Sequence, residues 1–454
     1  MKRNILWKLK VSYLVIVLFM LIGFSLIFSF NTKKSEENKK TLEVMVIGYF
    51  DNQMILEDNN HFLYYMNDQK YSFDVGSHLL LEYSGVIDKS IVNNITSYQV
   101  LNETDSNTLP NNWVDDGIFS DYYTMAYNKL KTMSQNEKIS QVLLIKYPNN
   151  GINIQKEKQF GGFIFYEKDF QDKSKKDVND MIDSIQKVSK IPLLTATDEE
   201  GGKVIRVSSN NKLAREPFKS VQELYNEGGF PLIKSDTIKK SEVLSDLGIN
   251  LNLAPVVDVS ENSRDYIYER TIGENAIITS EYAKTVIEAS KKGNVSYTLK
   301  HFPGYSSNID THTWVSIDDR TMEEINSDLL PFKEGIKSGA EAVMVSHNIV
   351  KTIDSNNPSS LSFNVHNLLR NDLSFTGISI SDDLDMASLD NVSSKYVKAL
   401  LSGNDLIITG DYEYSISEIK DAISSGMMSQ AILDYHVFKV LSWKYYKGLM
   451  FDEK

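Results

Sequence analysis

The sequence predicts an α/β protein built on a (β/α)8 barrel of the TIM type, preceded by a small all-β module and an N-terminal transmembrane helix. Three observations predict it. Eight short apolar, often β-branched runs recur at 142–145, 162–166, 192–197, 250–257, 296–300, 342–346, 377–380 and 405–409, each followed by a segment able to form a helix. Ionisable residues collect at the C-terminal ends of five consecutive runs, the third to the seventh, and that end of such a barrel is where catalytic residues sit. Ahead of all this, residues 11–30 form an uncharged, mostly apolar stretch, long enough to span a hydrocarbon core of about 30 Å as a helix. The competing fold is a doubly wound open sheet. No Gly-x-Gly-x-x-Gly turn follows any of the runs, which weakens a dinucleotide-binding reading.

Composition narrows the class. The chain has 454 residues, 41% hydrophobic and 24% charged, as globular proteins have. Its net charge of −13 makes it a poor nucleic-acid binder, since such proteins need a basic surface. It has no cysteine, which removes disulfide frameworks, thiolate zinc sites and a cysteine nucleophile.

The elements follow in order. Residues 1–40 read as a membrane anchor, with Lys2, Arg3, Lys8 and Lys10 before the apolar stretch and Lys33, Lys34, Lys39 and Lys40 after it. The flanks nearly tie under the positive-inside rule, and a short basic N-terminus favours leaving the bulk of the chain outside. No small-x-small cleavage site stands near residues 25–31, so an uncleaved anchor is preferred to a signal peptide. The expected location is therefore the cell membrane, single-pass, with the catalytic domain extracytoplasmic. Residues 41–101 alternate like short strands, with Asp51-Asn52, Asn59-Asn60 and Asn67-Asp68 as turns, and suggest a small barrel or sandwich. Residues 102–118 read as a linker and 119–454 as the large barrel. A helix is expected at 121–141, others at 175–190, 281–292, 322–339 and 394–402, and an amphipathic closing helix at about 428–447.

The strand ends carry the chemistry. Strand three ends in Asp198-Glu199-Glu200-Gly201-Gly202, strand four in Val257-Asp258, strand five in Lys300-His301-Phe302-Pro303-Gly304, strand six in Ser346-His347-Asn348 and strand seven in Ser381-Asp382-Asp383. Asp310-Thr311-His312 lies in the loop after strand five, and three of the chain's seven histidines fall in these loops. A metal-dependent hydrolase would want paired histidines after an early strand. Strand one ends instead in Lys146-Tyr147-Pro148. Metal-free glycoside hydrolysis needs a carboxylate nucleophile and a proton donor across the scissile bond. Asp382 suits the first role. His312, oriented by Asp310, suits the second, because an imidazole beside a carboxylate titrates in the useful range.

From about Tyr127 to Met450 the chain resembles glycoside hydrolase family 3, in its single-barrel β-N-acetylhexosaminidase branch. The resemblance rests on ordered blocks: residues 130–139 as the opening helix, Asp198-Glu199-Glu200-Gly201-Gly202, Asn252-Leu253-Ala254-Pro255-Val256-Val257-Asp258, Arg270-Thr271-Ile272-Gly273, Lys300-His301-Phe302-Pro303-Gly304, and Ser381-Asp382-Asp383-Leu384-Asp385-Met386. It implies Asp382 as nucleophile and His312, paired with Asp310, as general acid/base. It implies that Asp198, Arg270, Lys300 and His301 bind the sugar, with Asp258 and His347 as further contacts. It implies no metal and no cofactor, a retaining mechanism, and terminal β-linked N-acetylglucosamine, in peptidoglycan fragments, as substrate. Two departures stand out: Tyr305-Ser306 replaces the family's usual His-Gly, and Asp310-Thr311-His312 its usual Asp-Ser-His. The alternatives are a β-glucosidase or β-xylosidase of the same fold and a non-catalytic binder of cell-wall glycan. The intact Asp382 and Asp310/His312 argue against the second, and the loop dyad against the first.

Overall fold

The computed structural model describes residues 39–50, 53–66, 70–87, 90–101, 109–305 and 315–451. The first six strands are β1 (Lys40–Phe50), β2 (Gln53–Asp58), β3 (Leu63–Met66), β4 (His78–Tyr83), β5 (Ile91–Val92) and β6 (Ile95–Val100). They form one sheet in the order β5-β3-β2-β1-β4-β6, antiparallel except for the β3–β5 pair. The strands were expected; their assembly into one open sheet, rather than a small closed barrel, follows from what covers it. Along β1 and β2 the side chains alternate, as the pleat requires. Val44, Val46, Met54 and Leu56 pack into a core within the sheet's own residues. Ile47, Ile55 and, from β3, Leu63 join the core of the large barrel. A second body thus covers the face that a small barrel would have had to close on itself.

The large body is the predicted barrel. Its strands are β7 (Leu143–Lys146), β8 (Gly162–Phe165), β9 (Leu194–Thr197), β10 (Leu251–Asn252) and β11 (Ser296–Phe302). The short β12 (Ile317–Asp318) and β14 (Ile349–Val350) pair in parallel outside it, and β13 (Ala342–Val345), β15 (Ile378–Asp383) and β16 (Leu406–Thr409) complete it. The order β10-β11-β13-β15-β16-β7-β8-β9 closes on itself. Strands buried on both faces read as continuous apolar runs, which is why all eight were visible in the sequence. At the β8 edge the backbones approach so closely that a Cβ on Gly162 would lie 2.5 Å from the Leu194 carbonyl oxygen.

The helices differ in detail from the expectation. The helix expected over 121–141 is two, Tyr123–Leu130 and Gln135–Gln141. The break falls where Ser134 caps a new helix, its hydroxyl accepting from the Glu137 N–H while the Glu137 carboxylate accepts from the Ser134 N–H. The closing helix, Gln430–Tyr446, is buried over most of its circumference instead of on one face. Trp113, in the stretch read as linker, packs on Phe438 and Tyr435, and His61 of the sheet stacks on Tyr435 at 4.2 Å.

The predicted transmembrane helix is corrected, and with it the single-pass membrane location. Among the described residues no helix is long and apolar enough to cross a membrane. The longest, Val221–Asp246, is broken by left-handed Gly229 and by Pro231, and carries acids and lysines along its length. The most deeply buried, Gln430–Tyr446, has 17 residues and includes Asp434, Lys439 and Lys444. The segment read as the span, 11–30, lies outside the described residues.

Asn367 joins the sheet to the barrel. Its Oδ1 accepts from the Leu63 N–H at 3.0 Å and its Nδ2 donates to the Leu63 carbonyl at 3.0 Å and to Ser90 Oγ at 3.1 Å. Asn367→Ala leaves both Leu63 backbone groups unpaired in a buried seam. It is expected to lower the unfolding free energy by about 1–3 kcal/mol, read by urea denaturation.

Candidate functional site

A cavity of about 840 Å³ opens at the C-terminal ends of the strands, lined by Lys146, Tyr166, Asp198, Glu200, Arg270, Lys300, His301, Asp382 and Asp383 among others. Its floor is a chain of ion pairs drawn from two strand ends and one short helix. Lys300, at the end of β11, lies 2.9 Å from Asp198 Oδ1 and 2.7 Å from Glu200 Oε1. Arg270, which closes the short helix Tyr268–Arg270, grips the same Glu200 with two donors, Nη2 to Oε1 at 2.7 Å and Nε to Oε2 at 3.0 Å. Such a two-pronged pair fixes both position and plane.

The turn that carries the two acids needs its glycines. Gly201 and Gly202 have φ of 103° and 65°, where side chains with a Cβ are strained. Glu199, between the acids, points the other way and is fully buried. Its carboxylate accepts from the backbone N–H groups of Arg206 and Val207 and from the Ser208 hydroxyl, which anchors the following loop.

Electrostatics set the charge states. Burial opposes ionisation of Glu200, but the Arg270 and Lys300 charges overcome it and hold its carboxyl well below the ordinary range. Burial likewise works against the Lys300 cation, and Asp198 and Glu200 reverse it, so the ammonium titrates above its usual value. The floor is therefore a fixed array of charges at neutral pH.

His301 is set by Asp258. The His301 Nδ1–H donates to Asp258 Oδ2 at 2.7 Å, and the His301 backbone N–H reaches the same carboxylate at 3.2 Å. That bond turns Nε2 toward Arg270 Nη2, 3.4 Å away, on the cavity side. Asp258 itself is fully buried beneath the ring. His347 is also fully buried. Its Nε2 donates to the Asp383 carbonyl at 2.9 Å and its Nδ1 meets Ser360 Oγ at 2.7 Å. It braces the strand end that carries Asp382 and does not line the cavity.

At that strand end Asp382 Oδ1 accepts from the Asp383 N–H at 2.8 Å. Asp383 pairs with Lys146 at 2.6 Å and Asp385 with the same Lys146 at 3.0 Å. Burial raises the Asp383 carboxyl, with Lys146 pulling against it. Tyr166, the residue after β8, lines the same cavity. Burial, with Asp198, Asp383 and Asp382 around it, keeps the phenol protonated.

Of the residues singled out from the sequence, Asp198, Arg270, Lys300, His301 and Asp382 share one cavity, and Asp258 and His347 sit behind it. Asp310 and His312 lie outside the described residues. Sequence reasoning passed over Glu200, Lys146 and Tyr166. For Glu200 a signal existed: two cations chosen for one buried site require a shared counter-ion, and Glu200 stood in the quoted motif.

A family model described as glycosyl hydrolase family 3 N terminal domain matches residues 134–443, more than half of the chain. A beta-hexosaminidase of Xylella fastidiosa (strain M23) is 31% identical over 240 residues, 51% of this chain and 69% of the relative. A beta-hexosaminidase of Actinobacillus pleuropneumoniae serotype 3 (strain JL03) is 31% identical over 270 residues, 58% of this chain and 77% of the relative. Among solved structures, a glycoside hydrolase family 3 beta-N-acetylglucosaminidase from Paenibacillus sp. str. FPU-7 superposes with a TM-score of 0.65 at 24% identity, over 71% of this chain and 64% of that one. This chain thus spans less than two thirds of the Paenibacillus protein, and the likeness is one of fold. A family 3 glycosyl hydrolase from Mycobacterium smegmatis str. MC2 155 gives a TM-score of 0.62 at 25% identity, over 68% of this chain and 97% of that one.

Glu200→Gln removes the charge that two buried cations share, and breaking a buried pair costs about 3–5 kcal/mol. Urea denaturation at neutral pH is expected to show that loss. Because the folded carboxyl titrates below the ordinary value of 4.5, its stabilisation is complete above that pH and is lost as the pH falls further. The gap between wild type and variant therefore holds through the neutral range and narrows only in acid.

Proposed function

The chain belongs to glycosyl hydrolase family 3, and on that premise we propose that it is a retaining β-N-acetylglucosaminidase that removes terminal β-linked N-acetylglucosamine, naturally from peptidoglycan fragments. The observation that carries the reading is the meeting of Asp382 with the Asp198–Lys300–Glu200–Arg270 array in one cavity at the strand ends. The names borne by the relatives from Xylella and Actinobacillus support it.

The roles follow from charge and position. The array grips sugar hydroxyls: Lys300 and Arg270 donate, Asp198 accepts, and His301 is held in one orientation by Asp258. A floor closed by buried ion pairs admits the end of a glycan chain rather than its middle. Asp382 attacks the anomeric carbon, and the bond from that carbon to the leaving oxygen breaks as His312, steadied by Asp310, protonates that oxygen. The product of this step is a glycosyl ester on Asp382. His312, now neutral, takes a proton from water as the water attacks the anomeric carbon. The ester bond breaks and the sugar leaves with net retention.

Turnover of 4-nitrophenyl N-acetyl-β-glucosaminide tests the reading, with the matching glucoside as comparison. Asp382→Asn is expected to lower kcat by roughly three orders of magnitude or more. His312→Ala is expected to lower it by about 10²–10⁴ with a sugar leaving group, and by less with nitrophenolate, which departs without a proton. Wild-type rates in Asp382→Asn, or preference for the glucoside, would overturn the assignment.

A further inference from the structure

Three carboxylates, Asp382, Asp383 and Asp385, crowd one strand end, and the proposed chemistry needs the first of them ionised. Like charges this close suppress one another's ionisation unless a cation intervenes. The sequence around them supplies none: the cation comes from another strand. Lys146 ends β7, which is separated from β15 by β16. Its ammonium crosses that strand to reach Asp383 at 2.6 Å and Asp385 at 3.0 Å.

The crossing depends on Gly410, the residue after β16. A Cβ there would stand 3.2 Å from Lys146 Cδ and 3.2 Å from Asp385 Oδ2, tight against both. The Gly410 N–H donates to the same Asp385 oxygen at 2.5 Å, and the Thr409 hydroxyl donates to Asp385 Oδ1 at 2.9 Å. Asp385 is thus locked as an acceptor and in turn locks Lys146. Among the described residues, the other titratable groups facing the cluster include Tyr166 after β8 with Arg206 near its ring, Asp198 after β9, Tyr396 at Asp385 with Lys395 over its ring and Asp411 near it, and His347 against the Asp383 carbonyl. The cations among these, Arg206 and Lys395, lie over the Tyr166 and Tyr396 rings.

We propose that Lys146 is a positioning residue for the reaction, the counter-charge that keeps the Asp382–Asp385 strand end ionised and Asp382 aimed into the cavity. It acts through Asp383, whose backbone N–H holds Asp382 Oδ1. The inference rests on the reading of Asp382 as nucleophile, and the test separates the two.

The measurement is kcat/KM against pH for 4-nitrophenyl N-acetyl-β-glucosaminide, with kcat and KM resolved, in wild type, Lys146→Met, Lys146→Arg and Gly410→Ala. Lys146→Met should move the acid limb up by about one pH unit and lower kcat most at low pH. Lys146→Arg should bring the limb back. Gly410→Ala keeps the lysine but crowds its stem, and should move the limb the same way by less. An acid limb that superimposes on wild type in Lys146→Met, or a change confined to KM, overturns the proposal, the latter because it marks a direct sugar contact. Trapping with a 5-fluoro N-acetylglucosaminyl fluoride and mapping the labelled peptide checks the premise separately. Label on Asp382 with an unmoved limb defeats only the role of Lys146; label elsewhere defeats the nucleophile assignment and the inference with it.

Discussion

The shared carboxylate of Glu200 is the interaction on which the site depends. Lys300 and Arg270 come from segments far apart in the chain, and this carboxylate pairs with both. Desolvating two cations beside one acid is expensive, and the geometry offsets it by spending both Glu200 oxygens on Arg270 and one of them also on Lys300. Asp198 supplies the second negative charge. Everything above this floor inherits its order. Lys300 is followed directly by His301, and Arg270 reaches the His301 ring. The strand that positions the imidazole is thus the strand that positions the ammonium.

A second order of support lies one layer out, where polar groups face the protein rather than the cavity. Asp258 holds His301, Glu199 holds the loop at Arg206–Ser208, and His347 holds the Asp383 carbonyl. These groups set the angles at which the lining residues meet a ligand, which is how a barrel rim built of loops becomes rigid enough for chemistry.

Much of this was legible in the sequence. The eight strands were, because strands buried on both sides leave apolar runs that no surface residue interrupts. Asp198, Lys300, His301 and Asp382 were, because the barrel rule assigns meaning to whatever ends a strand. What was not legible concerns pairing. Glu200 lies 70 residues from Arg270, and nothing local marks which two of the three neighbouring acids turn inward. Asp258 and His347 show the same limit from the other side: residue type and strand position matched the lining residues, but the direction of the side chain did not. Lys146 reads as an ordinary strand-end lysine until Gly410 is seen to leave a path across β16. The single sheet at 40–100 was legible as strands and not as an assembly, because its second covering layer is another part of the chain. The apolar stretch at 11–30 lies outside the described residues, and the amphipathic pattern read for the closing helix was misleading about its burial.

The sharing of apolar side chains between sheet and barrel has a bearing on cooperativity. Ile47, Ile55 and Leu63 belong to the same packed cluster as the closing helix, and Ser429 at its start donates its N–H to the Ile47 carbonyl. Opening the sheet would strip the cover from Tyr435 and Met428, so the free energy of local opening there approaches that of opening the barrel itself. The sheet and the barrel are therefore expected to exchange their amides as one folding unit. Protection would be highest on both sides of the seam and would decline toward β6, the edge strand farthest from it.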